Sequence, residues 1–236
     1  MILSTEGVSN QGAIQNRFSP YDWNGGAVLA VAGEDFVVLA ADKRLATGYN
    51  IKSRNIDRVH QLAPQTLLAC GGCHADVIAL YQELTLRATM YKHKHGVDMG
   101  TVAAAQLLSN TLYYRRFFPI YALAVIAGID GEGKGYVAGY DAVGSYIKSR
   151  EGYQAGGSGA SLLMPILDNA FATGKCGFPG GNLPEVPYTQ EQVVEIIKAA
   201  YVSGGERDIM IGDAVDIFVL KAGGQLEHQV FQLKKD

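Results

Sequence analysis

The chain has 236 residues, enough for one large domain with a two-layer core. A formal net charge of −3 gives no global basic field of the kind that attracts nucleic acid. The longest clean apolar run, Ala122–Ile129, is far too short to span a bilayer as a helix.

Residues 1–24 are polar and aperiodic and read as an extension ahead of a domain spanning residues 25–236. The opening Met1-Ile2-Leu3-Ser4-Thr5-Glu6 lacks the basic region and long apolar stretch of a signal peptide. With that start, three cysteines are read as reduced thiols of an intracellular protein. Two apolar runs, Ala27–Ala32 and 36–41, flank the turn signal Gly33-Glu34-Asp35 and predict a hairpin that runs into Asp42-Lys43-Arg44. Residues 66–70 predict a short strand ending at Gly71-Gly72. Val77, Leu80, Tyr81, Leu84, Ala88 and Tyr91 then follow helical spacing, and Lys92-His93-Lys94-His95 with Gly96 end that helix.

A second helix is expected from an N-cap at Thr101, with Val102, Ala105, Leu108 and Leu112 on one face and Arg115-Arg116 at its C-terminal dipole. Strands Ala122–Ile129 and Gly135–Tyr140 flank the turn-rich Asp130-Gly131-Glu132-Gly133-Lys134, and residues 145–148 return after Asp141-Ala142-Val143-Gly144. A third helix over 161–171 carries Leu162, Ile166 and Leu167 inward, and 173–187 is a glycine- and proline-rich loop. Thr189-Gln190-Glu191-Gln192 is a capping box for a fourth helix with Val193, Val194, Ile197, Ala200 and Tyr201 inward. Strands near 216–220 and 226–233 close the chain. The order of strands, two helices, strands, two helices, strands predicts two antiparallel sheets packed together with helix pairs outside.

Four motifs have plainer readings than their chemistry suggests. Cys70-Gly71-Gly72-Cys73 has Cys-x-x-Cys spacing, but with no second pair it reads as a strand end rather than a redox or metal site. Lys92-His93-Lys94-His95 reads as a solvated helix end. Arg115-Arg116-Phe117-Phe118 reads as a subunit contact, since arginine and aromatics are enriched in interface cores and the chain is acidic overall. Ala155-Gly156-Gly157-Ser158-Gly159 lacks the lysine of a phosphate-binding loop and reads as a turn feeding the third helix.

Several segments, in the right order, resemble proteasome beta subunits, and among them the non-catalytic beta-6 type. They are Arg17-Phe18-Ser19-Pro20-Tyr21 with Asn24-Gly25-Gly26, Gly33-Glu34-Asp35-Phe36, Tyr113-Tyr114-Arg115-Arg116-Phe117-Phe118-Pro119, Gly131-Glu132-Gly133-Lys134-Gly135, Val143-Gly144-Ser145-Tyr146, Ala155-Gly156-Gly157-Ser158 and Glu206-Arg207-Asp208. The resemblance covers the chain from about Arg17 to its end. It implies an α+β fold, the four-layer αββα sandwich of N-terminal nucleophile hydrolases.

In active members a threonine opens the first strand, its hydroxyl the nucleophile and its own amine the base. By resemblance that threonine falls on Gly26, which has no hydroxyl. The supporting carboxylate falls on Asp42, and the lysine that lowers the nucleophile's pKa falls on Arg58, whose guanidinium cannot share a proton in the same way. The glycine whose N–H stabilises the oxyanion falls on Gly72. A serine and an aspartate near the threonine amine fall on Ser158 and Asp208, and a second serine is replaced by Ile211. The expectation is a retained frame, read as a buried polar network, around a missing nucleophile. Two alternatives are an active hydrolase using Ser4, Thr5, Ser9 or Thr47, and a free-standing binding protein on the same sandwich.

The resemblance also implies partners. These are the other alpha and beta chains of a 20S core particle of four stacked seven-membered rings, and polypeptide substrates in its chamber. It implies no nucleic acid, no membrane, no cofactor and no metal, and residence in cytoplasm and nucleus. The family trims its leaders near the residue matching Arg17, whereas here the extension 1–16 is expected to be kept. The turn Asp141-Ala142-Val143-Gly144-Ser145 matches a segment that lends side chains to a neighbour, so Asp141 and Ser145 should face the substrate channel of the chymotrypsin-like beta-5 subunit.

Overall fold

A computed structural model describes residues 19–148, 152–171 and 188–234. The expectations for Ser4, Thr5, Ser9, Arg17, Phe18 and the loop 173–187 lie outside them. The elements in order are β1 (Ala27–Ala32), β2 (Phe36–Asp42), β3 (Leu45–Thr47), β4 (Asn50–Ser53), β5 (Val59–Ala63), β6 (Thr66–Gly72), α1 (His74–His95) and α2 (Thr101–Tyr114). Then follow β7 (Ala122–Ile129), β8 (Gly135–Tyr140), β9 (Tyr146–Lys148), β10 (Tyr153–Gly157), α3 (Ala160–Phe171), α4 (Gln190–Gly205), β11 (Ala214–Lys221) and β12 (Leu226–Gln232).

One five-stranded sheet has the order β10-β1-β2-β11-β12, a second has β5-β6-β7-β8-β9, and β3-β4 form a small hairpin of their own. All the pairings are antiparallel. The period of two along each central strand sorts its side chains between two cores. Ala27, Leu29 and Val31 of β1 join Leu163, Leu167, Ile197 and Tyr201 under α3 and α4. Val28 and Ala30 point the other way, into a core shared with Leu67, Ala69, Val125 and Ala127 of the second sheet. That sheet's outer face packs Leu68, Cys70 and Ile126 against Leu80, Leu84, Leu108 and Leu112 of α1 and α2. The result is the expected αββα sandwich. Strands buried on both faces explain why β1 and β2 read as unbroken apolar runs instead of alternating ones.

The differences from the expected pattern have local causes. Gly100, not Thr101, caps α2. Thr101 is the first helical residue, and its buried hydroxyl lies 2.9 Å from the Gln65 carbonyl oxygen and 2.7 Å from that of Ile129, tying the helix start to the second sheet. Val102 turns outward, 52% exposed, and Ala104 and Thr111 take its place beside Ala105, Leu108 and Leu112. In α3 the buried pair is Leu163 and Leu167, with Leu162 and Ile166 only half-buried. Residues 155–157, read as part of a turn, belong to edge strand β10, whose glycines lie against β1 in the register Ala27–Gly157 and Val28–Gly156. Strands β3, β4 and β5 were not foreseen either. They are three to five residues long, too short to display a period of two, and cross-strand pairing decides their state. Gly96 ends α1 in the left-handed region, and the Thr189–Gln192 capping box of α4 is fully formed.

Candidate functional site

The site lies where β1 begins and β2 ends. Antiparallel register sets Val28 opposite Ala41, so Asp42 comes level with the first residue of β1. Its Oδ1 accepts the Ala27 N–H at 2.7 Å and its Oδ2 accepts the Arg44 N–H at 3.2 Å. The Arg58 Nε lies 3.3 Å from Asp42 Oδ1 and donates to the Asp42 carbonyl oxygen at 3.1 Å. The other arm of the guanidinium donates to the carbonyl oxygens of Arg44 and Asn24. Both side chains are fully enclosed, at 2% and 0% exposure. Burial pushes the Asp42 carboxyl up to about 6, against the opposing pull of Arg58 and of the two N–H donors.

Gly26 sits against that guanidinium with φ +98°. A Cβ there would lie 2.5 Å from Arg58 Cζ and Nη1, so the space a nucleophilic side chain would need is filled by arginine. Gly25, at φ +67°, is equally confined, with a Cβ meeting Met210 at 2.6 Å. On the far side the Gly26 carbonyl oxygen accepts the Ser158 N–H at 2.8 Å, with the Ser158 hydroxyl at 3.4 Å.

The retained N–H of Gly72 is engaged rather than free. It donates to the Gly25 carbonyl oxygen at 3.0 Å, so the group expected to hold an oxyanion holds the chain's own backbone. A single N–H satisfied at that distance offers little to a second acceptor. Asn24, counted in the extension, is buried. Its N–H donates to the Gly72 carbonyl oxygen at 3.1 Å, and its side chain joins α1 and the β3–β4 hairpin.

The expected buried network is smaller than the sequence suggested. Asp42 and Arg58 form its core, but Ser158 and Asp208 are only half-buried. Asp208 accepts the Met210 N–H at 2.9 Å and so closes its own turn. Ile211 is buried in the apolar core, packed against Gly159 and Gly204, where a polar partner would be out of place. Thr47 lies in β3 with its hydroxyl between Asn24 Nδ2 at 3.0 Å and Asp22 Oδ2 at 3.2 Å. Cys70 and Cys73 are buried free thiols, and burial pushes Cys70 up to about 12, which leaves it inert.

Sequence reasoning missed a second ionic joint beside the first. Arg44 is buried with its Nε 2.8 Å from Asp213 Oδ2, and Arg54 pairs with the other oxygen of the same carboxylate. Asp213 holds φ 65°, a left-handed conformation that two arginines stabilise. The available signal was the clustering of charge at Asp42-Lys43-Arg44. Elsewhere, the Asp141 Oδ1 accepts the N–H groups of Val143 at 3.0 Å and Ser145 at 2.8 Å, closing a turn in which Asp141 and Ser145 are exposed. At the end of α2, Tyr113, Tyr114, Phe117 and Phe118 are exposed, and the Arg116 guanidinium stacks on the rings of Tyr113 and Phe117. A cavity of about 730 Å³ sits at the opposite end of β1, beside Gly33, Glu34 and Phe36, away from Gly26.

Two outcomes follow from the Asp42–Arg58 pair. Asp42→Ala leaves a buried guanidinium without its anion, which should cost about 3–5 kcal/mol. For a chain of this size that is a fall of roughly 6–20 °C in Tm, and an unchanged melting curve would refute the pairing's importance. The pH dependence has a definite sign. A carboxyl raised above its ordinary value binds its proton more tightly when folded, so its contribution is full below pH 3.8 and is lost as pH rises through about 6. Asp42→Asn should therefore gain stability relative to the parent as pH climbs from 4 to 6, and a constant difference in Tm across that window would contradict it.

The proteasome subunit family matches residues 23–220. A protein named proteasome subunit beta type-1 from Arabidopsis thaliana is 46% identical over 219 residues, 93% of this chain and 97% of that one. The protein of the same name from Petunia hybrida is 44% identical over 94% of this chain and 98% of its own length, and that from Danio rerio 42% identical over 95% and 92%. Beta type-1 and beta-6 differ as labels in numbering only. With the αββα sandwich in place and the match running from Trp23, at the edge of the site, to Leu220 near the end of β11, the chain belongs to the proteasome subunit family.

Proposed function

We propose that this chain is a non-catalytic beta subunit of the 20S proteasome core particle, a structural member of the ring beside subunits that cut. The observation that carries the reading is Gly26 at the start of β1, with the Arg58 guanidinium in the space a side chain would occupy. The engagement of the Gly72 N–H by Gly25 supports it, since neither a nucleophile nor an oxyanion donor stands ready. Asp42, Arg58, Ser158 and Asp208 are in this reading the remnant of a catalytic frame, put to structural use. The exposed Tyr113–Phe118 surface, with its stacked arginine, supports ring contacts to other alpha and beta chains. Native mass of the assembled particle, with identification of its chains, tests the assembly, and a covalent probe for N-terminal threonines tests the inactivity.

Gly26→Thr should not create an active subunit. Its Cβ collides with Arg58, and the backbone strain at φ +98° alone should cost about 1–3 kcal/mol. We expect a lower Tm and no probe adduct on this chain. An adduct at residue 26 of the variant would refute the claim that Arg58 closes the site, and an adduct on the parent chain would overturn the non-catalytic reading.

We further propose that the Asp141 turn shapes the substrate channel of an adjacent chymotrypsin-like subunit. One carboxylate oxygen closes the turn, and the exposed charge can still favour basic or polar groups three residues before the cut. A rim charge of this kind is worth about 0.2–1 kcal/mol, hence at most a several-fold preference. Asp141→Asn keeps the accepting Oδ1 and removes the charge. Cleavage of peptides with lysine at that position should fall by that factor relative to leucine or glutamate. Identical relative rates in particles of normal yield would leave Asp141 a turn residue only.

A further inference from the structure

Residues 21–26 are bound to the body of their own chain by contacts of three kinds. The backbone pairs with the end of β6, with Asn24 N–H on the Gly72 carbonyl oxygen at 3.1 Å and Gly72 N–H on the Gly25 carbonyl oxygen at 3.0 Å. The rings of Tyr21 and Trp23 pack on Tyr121 with centroids 5.5 and 5.4 Å away, and the Tyr21 hydroxyl donates to the Pro119 carbonyl oxygen at 2.7 Å. The Asn24 side chain spends both its ends on separate elements. Its Oδ1 accepts the His74 N–H at 2.9 Å, and its Nδ2 donates to Thr47 Oγ1 at 3.0 Å and to the Ala46 carbonyl oxygen at 3.4 Å.

The His74 contact answers a need of α1. His74 is the first residue of that helix, and Cys73 at its N-cap position gives no side-chain hydrogen bond. The leading N–H groups of a helix have no partner inside it, and a buried one left unpaired is costly. Asn24 supplies that partner from fifty residues upstream. Its own side chain is buried, which shields these bonds in part from competing water.

We propose that residues 21–26 are a strap held in cis with Asn24 as its latch, so that one residue couples the arm to three elements: the start of α1 and the β3–β4 hairpin through its side chain, and the end of β6 through its backbone N–H. While the latch is closed the Gly25 carbonyl stays on the Gly72 N–H, and the Gly25–Gly26 peptide bond stays out of reach of a protease. Opening it frees the arm, the α1 start and the hairpin tip together, and leaves the sheets packed. The confinement of Gly25 and Gly26 by Met210 and Arg58 fits a strap that must pass through a closed channel. The proposal rests on these contacts and not on the absence of a nucleophile, so its failure would leave the inactivity reading intact.

The test compares the full chain with Asn24→Ala and Tyr121→Ala, by amide hydrogen exchange and by digestion with an aromatic-specific protease. In the parent chain the Gly72 and His74 amides should be protected, and the bond after Trp23 should resist cutting. Asn24→Ala should speed exchange at Gly72 and His74 and in residues 46–50, and cutting after Trp23, by roughly tenfold or more, with the β1 and β7 amides unchanged. Tyr121→Ala should loosen residues 21–23 and leave His74 protected, which separates the latch from the ring contacts. The proposal is overturned if the parent is already cut after Trp23 as fast as an unfolded peptide. It is overturned equally if Asn24→Ala changes nothing, or if it raises exchange uniformly through both sheets.

Discussion

A guanidinium buried at the mouth of the sandwich must find an anion and several carbonyl oxygens, and the geometry around Gly26 follows from how Arg58 finds them. Its Nε meets both the carboxylate and the carbonyl oxygen of Asp42, and its other arm turns to the carbonyl oxygens of Asn24 and Arg44. Each carbonyl acceptor is a backbone group at the end of a strand or in the arm, so satisfying one side chain fixes where three segments pass. The planar fork of arginine suits this many-sided role better than a lysine would. It also takes up room. The space above Gly26 is consumed, and glycine becomes the residue that fits.

The same economy governs the neighbouring joint. Arg44 and Arg54 share Asp213, and Lys43 reaches Asp216, which His228 also meets at 2.9 Å. Three successive residues, Asp42, Lys43 and Arg44, thus send their charges to three different partners where β2 ends. Taking such ions from water costs several kcal/mol each, and paired geometry repays it only in part. The stability of the fold must then come from the three apolar cores, and the ionic joints serve to fix which strand end lies against which loop.

Much of this was legible in the sequence because the central strands and the helices carry strong patterns. The runs at Ala27–Ala32 and Ala122–Ile129, the spacing of Val77, Leu80 and Leu84, and the Thr189 capping box each predicted their element. The misses share a cause. Strand β10, Tyr153–Gly157, is rich in glycine and owes its state to pairing with β1, which no local signal announces. Thr101 looked like a cap because threonine often is one, yet its hydroxyl is claimed by carbonyls of the second sheet. Of the candidate site, the charges at Asp42 and Arg58 were readable and the hydrogen bonds of the backbone around them were not. That the Gly72 N–H is spent on Gly25 depends on where the arm runs, and that path is fixed by Asn24, whose partners lie on elements far from it along the chain.

On the proposed reading, these contacts keep the charged frame in place without a nucleophile. Asp42 holds its charge against burial only because Arg58 and two N–H groups oppose the desolvation cost. Among the described residues, Arg58 in turn is paired with the Asp42 carboxylate. Removing either alone strands a buried charge, which is far more damaging than never having had the pair. A hydroxyl at position 26 carries no such debt, since no buried ion requires it as a partner. Glycine at position 26 therefore leaves the ionic joint complete, whereas the ions that surround it can leave only together.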